Sequence, residues 1–187
     1  GERDRVYLSF FNGKDDFGFV STEKLGVSGS SWDFGLDWFN SVAAARWNHE
    51  WTPKLFSNLT VTRSEYTFNT GIEFSETENT ASDSTTQRLN SLYRSGIVDH
   101  AARMDFNYAL NNTHYLRFGG NLTLHRFNPG ATTFQAEFGQ EFPGIDTTLG
   151  AEQVRSTERF LYIEDEIRVS DQFRANIGLH GAQLRVN

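Results

Sequence analysis

The stretch His100–Pro129, HAARMDFNYALNNTHYLRFGGNLTLHRFNP, decides the fold. Taken two residues at a time, it puts Ala102, Met104, Phe106 and Tyr108 on one face, and Arg103, Asp105 and Asn107 on the other. A short polar turn, Ala109–Asn112, follows. The alternation then resumes, with Leu116, Phe118, Gly120, Leu122 and Leu124 against Arg117, Gly119, Asn121 and Thr123. A period of two in neighbouring segments joined by a tight turn predicts an antiparallel β-hairpin. Each arm is about ten residues long, near the length a tilted strand needs to cross a bilayer. One face carries charge, amide and glycine; the other is apolar, with aromatics towards the turn. A strand with lipid on one side and a polar lumen on the other has this pattern.

Composition narrows the classes. The chain has 187 residues, of which 37% are hydrophobic, and its mean hydropathy is negative. That balance is compatible with a transmembrane β-barrel, where only every second residue must be apolar. No uninterrupted apolar run approaches the ~18 residues of a membrane helix. Aromatics make up 14%, and 17 residues are Phe. Cysteine is absent, so neither a disulfide framework nor a thiolate metal site is expected. A formal charge of −7 argues against nucleic acid as a partner. The chain starts at Gly1 without a signal sequence, which leads us to expect a trimmed or partial protein.

Seven strands are expected. Val6–Phe11 sets Val6, Leu8 and Phe10 opposite Tyr7, Ser9 and Phe11. Trp38–Trp51 would point Ala43, Ala45 and Trp47 outward and Val42, Ala44, Arg46 and Asn48 inward, although both sides hold small apolar residues. Leu55–Phe68 places Leu59 and Val61 against Asn58, Thr60 and Thr62, with Arg63 out of phase, so a bulge or the membrane edge is expected there. Gln87–Tyr108 and the strand from Tyr115 form the hairpin above. Arg155–Val169 alternates Leu161, Ile163, Ile167 and Val169 with Tyr162, Glu164, Glu166 and Arg168; Asp165 breaks the apolar face without a reason visible in the sequence. Phe173–Val186 sets Ala175, Ile177 and Leu179 against Arg174, Asn176 and His180.

The connections are expected to alternate in length. Asn12–Asp37, Asn69–Thr86 and Phe127–Glu152 read as long acidic loops, the last two without Lys or Arg. The last holds Glu137, Glu141, Asp146 and Glu152. Thr52–Lys54, Ala109–Asn112 and Ser170–Gln172 read as short turns, and Pro53 is unsuited to a strand interior. Outer-membrane barrels have short periplasmic turns at one end and long extracellular loops at the other. Trp47, Trp51, Phe106, Tyr108, Tyr115 and Phe173 all lie beside the short turns, as an interfacial aromatic girdle would. Bacterial barrels have even strand counts, and an open apolar sheet leaves bare edges in lipid. Residues 1–187 are therefore expected to be one partial barrel domain.

Catalytic motifs are missing from this pattern. There is no HExxH, P-loop, GxGxxG or calcium loop. Ser21-Thr22-Glu23-Lys24 matches SxxK without its partner motifs, in a polar segment. The five histidines are scattered. Glu164 and Glu166 share a strand face that Asp165 leaves, and a solvated charge ladder balanced by Arg168 is the simpler reading. No enzymatic activity, cofactor or metal is expected.

Several segments carry a family resemblance. Tyr7-Leu8-Ser9-Phe10-Phe11-Asn12-Gly13 is followed by Ala45–Asn58, ARWNHEWTPKLFSN. Met104–Tyr108, His125–Gly130, Tyr162–Glu166 and Asn176–Leu179 come next in order. Together these segments resemble successive barrel strands of TonB-dependent outer-membrane receptors of the Bacteroidota type, over nearly the whole chain. The resemblance implies a 22-stranded barrel filled by an N-terminal plug. It implies import of a scarce ligand, driven through TonB, at the bacterial outer membrane. The implied partners are the lipid bilayer, the plug, TonB and the imported ligand, whose identity stays open, as does a surface lipoprotein capping the barrel. The plug, the TonB-contacting segment and the remaining strands are not in this sequence.

Two functions are carried forward: a segment of such a transporter, and a β-barrel or β-sandwich module that displays acidic loops for binding or adhesion without transport. In the first, Ala102, Met104, Phe106, Leu116, Phe118, Leu122, Leu124, Ile177 and Leu179 face lipid. Arg103, Asp105, Asn107, Arg117, Asn121, Glu164, Glu166, Arg168 and Arg174 face the lumen, where they would touch the plug or pair with one another.

Overall fold

The computed structural model describes residues 2–139, 143–150 and 153–186. Its strands are β1 (Asp4–Leu25), β2 (Ser28–Thr52), β3 (Leu55–Asn79), β4 (Ser84–Ala109), β5 (His114–Phe138), β6 (Ile145–Gly150), β7 (Val154–Arg168) and β8 (Arg174–Val186). All pair antiparallel in one sheet, in the order β1-β2-β3-β4-β5-β7-β8, with β1 and β8 at its open edges. The short β6 and β7 lie end to end beside β5, which pairs with β7 from His114 to Phe127 and with β6 from Ala131 to Ala136. The described residues contain no helix.

The expected long loops are mostly strand. Asn12–Asp37 completes β1, turns at Gly26 and Val27, and begins β2. Gly26 has φ +64°, which suits the first central position of a two-residue hairpin turn. Asn69–Thr86 is the far half of β3, a turn at residues 80–83, and the start of β4. Phe127–Glu152 holds the end of β5 and β6, an eighth strand in place of the expected seven. Glu141 and Glu152 lie outside the described residues. The two ends of the sheet thus differ in how far the strands run, rather than in loop length. In β1 to β3 these extensions alternate in the opposite phase: Phe17, Phe19, Trp32, Phe34, Phe68, Ile72 and Phe74 stand on the face away from Val6, Trp47 and Leu59, interspersed with Gly, Ser and Asp. Paired side chains support them: Trp32 against Phe74 with ring centroids 4.7 Å apart, Phe19 against Phe34 at 5.5 Å, and Ser31 hydrogen-bonded to Ser75 at 2.8 Å.

No bulge occurs at Arg63, where pairing on both sides is continuous. Register breaks fall between Glu50 and Thr52 and at Ser95, where Pro129 and Gly130 together stand opposite that one residue. Pro129 brings no N–H to a ladder, so a bulge suits it. Its carbonyl accepts from Tyr93 Oη at 3.0 Å, and that of Asn128 accepts from Ser95 Oγ at 3.1 Å.

The sheet is a single layer with almost no interior. Among the described residues, Ala136 is the one buried apolar side chain and Ser57 the one buried polar side chain. Backbone ladders hold this fold together, and large apolar side chains stay uncovered.

Candidate functional site

The functional surface is the pair of sheet faces, and strand register sets what each displays. One row of paired residues crosses all seven main strands: Val6, Trp47, Leu59, Met104, Gly120, Leu161, Gly181. The next row on the same face is Leu8, Ala45, Val61, Ala102, Leu122, Arg159, Gln183. Ala102 pairs with Leu122, Phe106 with Phe118, and Leu116 lies opposite Tyr108, as Leu124 does opposite His100. Beyond β5, Phe118, Ile163 and Leu179 form one row, and Leu116, Asp165 and Ile177 another. All nine residues expected to face lipid therefore share one face. The rings of Phe106 and Phe118 stack at 5.0 Å. This face is open: Leu8 is 80% exposed, Leu161 73% and Leu179 77%.

The apolar surface is a belt with two polar borders. Towards the long-strand end the same face turns to Asn12, Ser41, Arg63, His100, Arg126 and Arg159. Arg63 Nη2 lies 2.7 Å from Glu65 Oε2, so the out-of-phase arginine begins this border. Towards the short turns stand Asp4 and His49, with Nδ1 2.6 Å from Oδ1, and Asp165 and His114, with Nδ1 2.7 Å from Oδ2. The Asp165–His114 pair explains the acid that interrupts the apolar pattern of β7; its other oxygen, Oδ1, is buried without a hydrogen-bond partner.

The belt also runs obliquely to the ladders. Its short-turn border is at Val6 in β1 but at Ala175 in β8, while the row through Val6 meets β8 at Gly181. The border thus drifts about one residue per strand. With a rise of ~3.4 Å per residue and strands ~4.8 Å apart, the slope is about 35°.

Aromatic side chains anchor the short-turn border. Trp47 Nε1 donates to Asp4 Oδ1 at 3.0 Å, and Trp51 Nε1 donates to the buried Ser57 Oγ at 3.0 Å. His49 packs edge-on against Trp51, with centroids 4.5 Å apart. Asp4 precedes Val6 and lies outside the belt. Hydrogen bonds from His49 and then Trp47 hold its carboxyl below the usual carboxylate range.

The opposite face carries all nine expected lumen residues, in adjoining rows. Arg103 Nε donates to Asp105 Oδ2 at 2.8 Å, and its guanidinium lies 5.7 Å from the centre of the Phe160 ring. Arg117 and Arg174 both reach Glu166, at 3.3 and 3.5 Å. Asn121 donates to Thr123 at 2.8 Å. Arg168 does not balance Glu164 or Glu166, contrary to expectation. It turns into the β7–β8 connection and pairs with Asp171, which is closer to it there. Asn107 stands opposite Arg117 in the ladder, and the Glu164 stem folds over Gly178.

Sequence reasoning missed Tyr162 as a member of this network. Its hydroxyl donates to Asp105 Oδ1 at 2.7 Å, spanning β5 to reach β4. Gly119 makes this reach feasible. A Cβ there would lie 2.4 Å from the Met104 carbonyl oxygen and 3.0 Å from both Asp105 Oδ1 and Tyr162 Cε1. The paired glycines 119 and 120 were the available signal. Further along the same face His125 Nδ1 lies 2.8 Å from Asp99 and its Nε2 3.6 Å from Glu158.

Among the described residues, no group of three His, Asp or Glu side chains is placed to hold a metal ion. Charge pairs and a tyrosine bridge order this face among the described residues. The chain matches no protein-family model and no curated protein.

Proposed function

We propose that this chain is part of an outer-membrane β-barrel, its apolar belt in lipid and its charged face towards the lumen. The observation that carries the reading is the belt itself: exposed, bordered by polar residues, and oblique to the ladders by about 35°. Strands of outer-membrane barrels tilt by ~35–45° from the membrane normal, so a horizontal apolar band must cut their ladders at such an angle. Leu116 to Leu124 spans ~27 Å along β5, or about 22 Å after that tilt, close to the ~25 Å apolar band of such barrels. In water the same exposed apolar face would be an aggregation site. A non-transporting soluble module would need a second layer over Leu8, Leu161 and Leu179.

The finer assignment rests on the segments that resemble TonB-dependent receptors. In that reading the barrel imports a scarce ligand with energy delivered through TonB, and performs no covalent chemistry. The Arg103–Asp105–Tyr162 and Arg117–Glu166–Arg174 groups form the wall that meets the plug.

The absence of cysteine makes the test direct. Single cysteines at each position from 115 to 126, in the protein within intact outer membranes, are labelled with a membrane-impermeant maleimide. Even positions from 116 to 124 are expected to be protected, and the odd positions and 126 to react more readily. Uniform labelling along β5 sinks the membrane reading.

A further inference from the structure

The long-strand border of the apolar belt carries Arg63, His100, Arg126, Arg155, Arg159 and Arg185, all exposed on the apolar face. In a chain of net charge −7 this is a local inversion of sign. Arg126 and Arg155 are direct cross-strand partners. Like charges directly opposite one another destabilise a sheet. The other arginine pair, Arg168 and Arg174 on the opposite face, is compensated by Asp171 and Glu166, and the remaining like-charge pairs, Asp16 with Asp37 and Asp33 with Glu73, are acidic. Among the described residues Arg126, Arg155 and Arg185 make no ion pair, and Arg159 is held at 2.8 Å by the neutral amide of Gln183. Four guanidinium groups thus gather on adjacent strands without an anionic partner among the described residues.

Beneath Arg159 the belt dips at Gly181, while the Leu161 side chain leans over Gly120. Gly120 and Gly181 lie in the preceding row, and Met104, Leu122 and Leu161 help bound a groove of about 980 Å³. A side chain at Gly181 would meet nothing within 4 Å, so the groove is open there.

We propose that this border is a binding site for a phosphorylated, acylated glycolipid of the adjoining leaflet. Its phosphates sit on Arg126, Arg155, Arg159 and Arg185, and an acyl chain lies in the groove over Gly181. Arginine suits this task because its planar fork binds phosphate oxygens in pairs. A glycolipid fits better than a single-phosphate lipid because the cations spread over three strands, from Arg126 in β5 to Arg185 in β8. The inference rests on the membrane reading above.

The test uses the full protein, extracted from the outer membrane and stripped of lipid in dodecyl maltoside. It is titrated with bis-phosphorylated lipid A, with the same lipid lacking both phosphates, and with phosphatidylglycerol; native mass spectrometry reads the bound fraction. Removing the phosphates is expected to weaken binding about tenfold or more. The double variant Arg126→Gln/Arg155→Gln should bind lipid A no better than wild type binds the phosphate-free form. That variant relieves a like-charge contact, so its lipid-free melting temperature should not fall. Gly181→Leu should also lose affinity, and Lys24→Gln, on the distant β1–β2 turn, should not. Equal binding of both lipid forms, or wild-type affinity in the double variant, overturns the phosphate site. Unchanged affinity in Gly181→Leu overturns the groove, and phosphatidylglycerol binding as tightly as lipid A overturns the choice of glycolipid. The cysteine map separates the two levels. Water-exposed 118 and 120 positions sink the membrane reading, whereas protected positions with phosphate-blind binding sink this inference alone.

Discussion

An arginine placed at successive depths on the apolar face should report the belt's profile. Met104 is near mid-belt in β4, with Phe106 and Tyr108 on one side and Ala102 on the other before His100 ends the belt. Leu122 pairs across the sheet with Arg159, at the long-strand border. Asn121 lies on the opposite face beside Arg103. Arginine on the lipid face of a barrel costs ~2–4 kcal/mol at the midplane and ~0–1 near the interfaces. Met104→Arg should therefore lower the folded-to-unfolded ratio roughly thirtyfold to 900-fold, Leu122→Arg by less than about fivefold, and Asn121→Arg by no more than about fivefold, the cost of a like-charge contact with its cross-strand partner Arg103. Position 122 is thus a poorer probe than the hydrophobic alternation alone suggests, because its neighbour on β7 is already charged. Equilibrium urea unfolding in phospholipid vesicles measures all three, with the gel-mobility shift of folded barrels as a second readout. Equal costs for Met104→Arg and Asn121→Arg would refute the facing, and equal costs for Met104→Arg and Leu122→Arg would refute the oblique belt.

Three further outcomes follow from particular contacts. Gly119→Val should displace Tyr162 from Asp105 and push against the Met104 carbonyl, costing about 2–4 kcal/mol in the same unfolding assay, whereas Tyr162→Phe, losing only a hydrogen bond to a charged group, should cost about 1.5–3. Ser57→Ala leaves the Trp51 indole N–H without its acceptor and should cost about 1 kcal/mol, accompanied by a shift in tryptophan emission. Because the Asp4 carboxyl is held below its usual range, its contribution to β1–β2 pairing is present above the unfolded carboxyl value near ~3.9 and is lost as pH falls through the lower folded value. Amide exchange at Glu50, whose N–H donates to the Arg3 carbonyl, should accelerate there in wild type, and Asp4→Asn should abolish that pH step.

The hairpin of β4 and β5 was legible in the sequence because its two faces differ in chemistry, so hydropathy alternates with the pleat. Pro53 marked a turn because proline cannot serve a strand interior. The far halves of β1 to β5 were not legible in the same way. In β1 to β3 the apolar residues, such as Trp32, Phe34, Phe68, Ile72 and Phe74, change to the face opposite the belt, so the alternation reverses phase among Gly, Ser and Asp and reads as loop. Asn69–Thr86 reads as loop in composition yet is held in strands by its neighbours. Other features depended on registers that bring distant residues together. Asp165 finds His114 across β5, Tyr162 reaches Asp105 over Gly119, and Arg126 meets Arg155. Each strand's alternation specifies which residues share its faces; only the pairing of all seven specifies where the apolar belt begins and ends, since its slope is a property of the sheet and of no single segment.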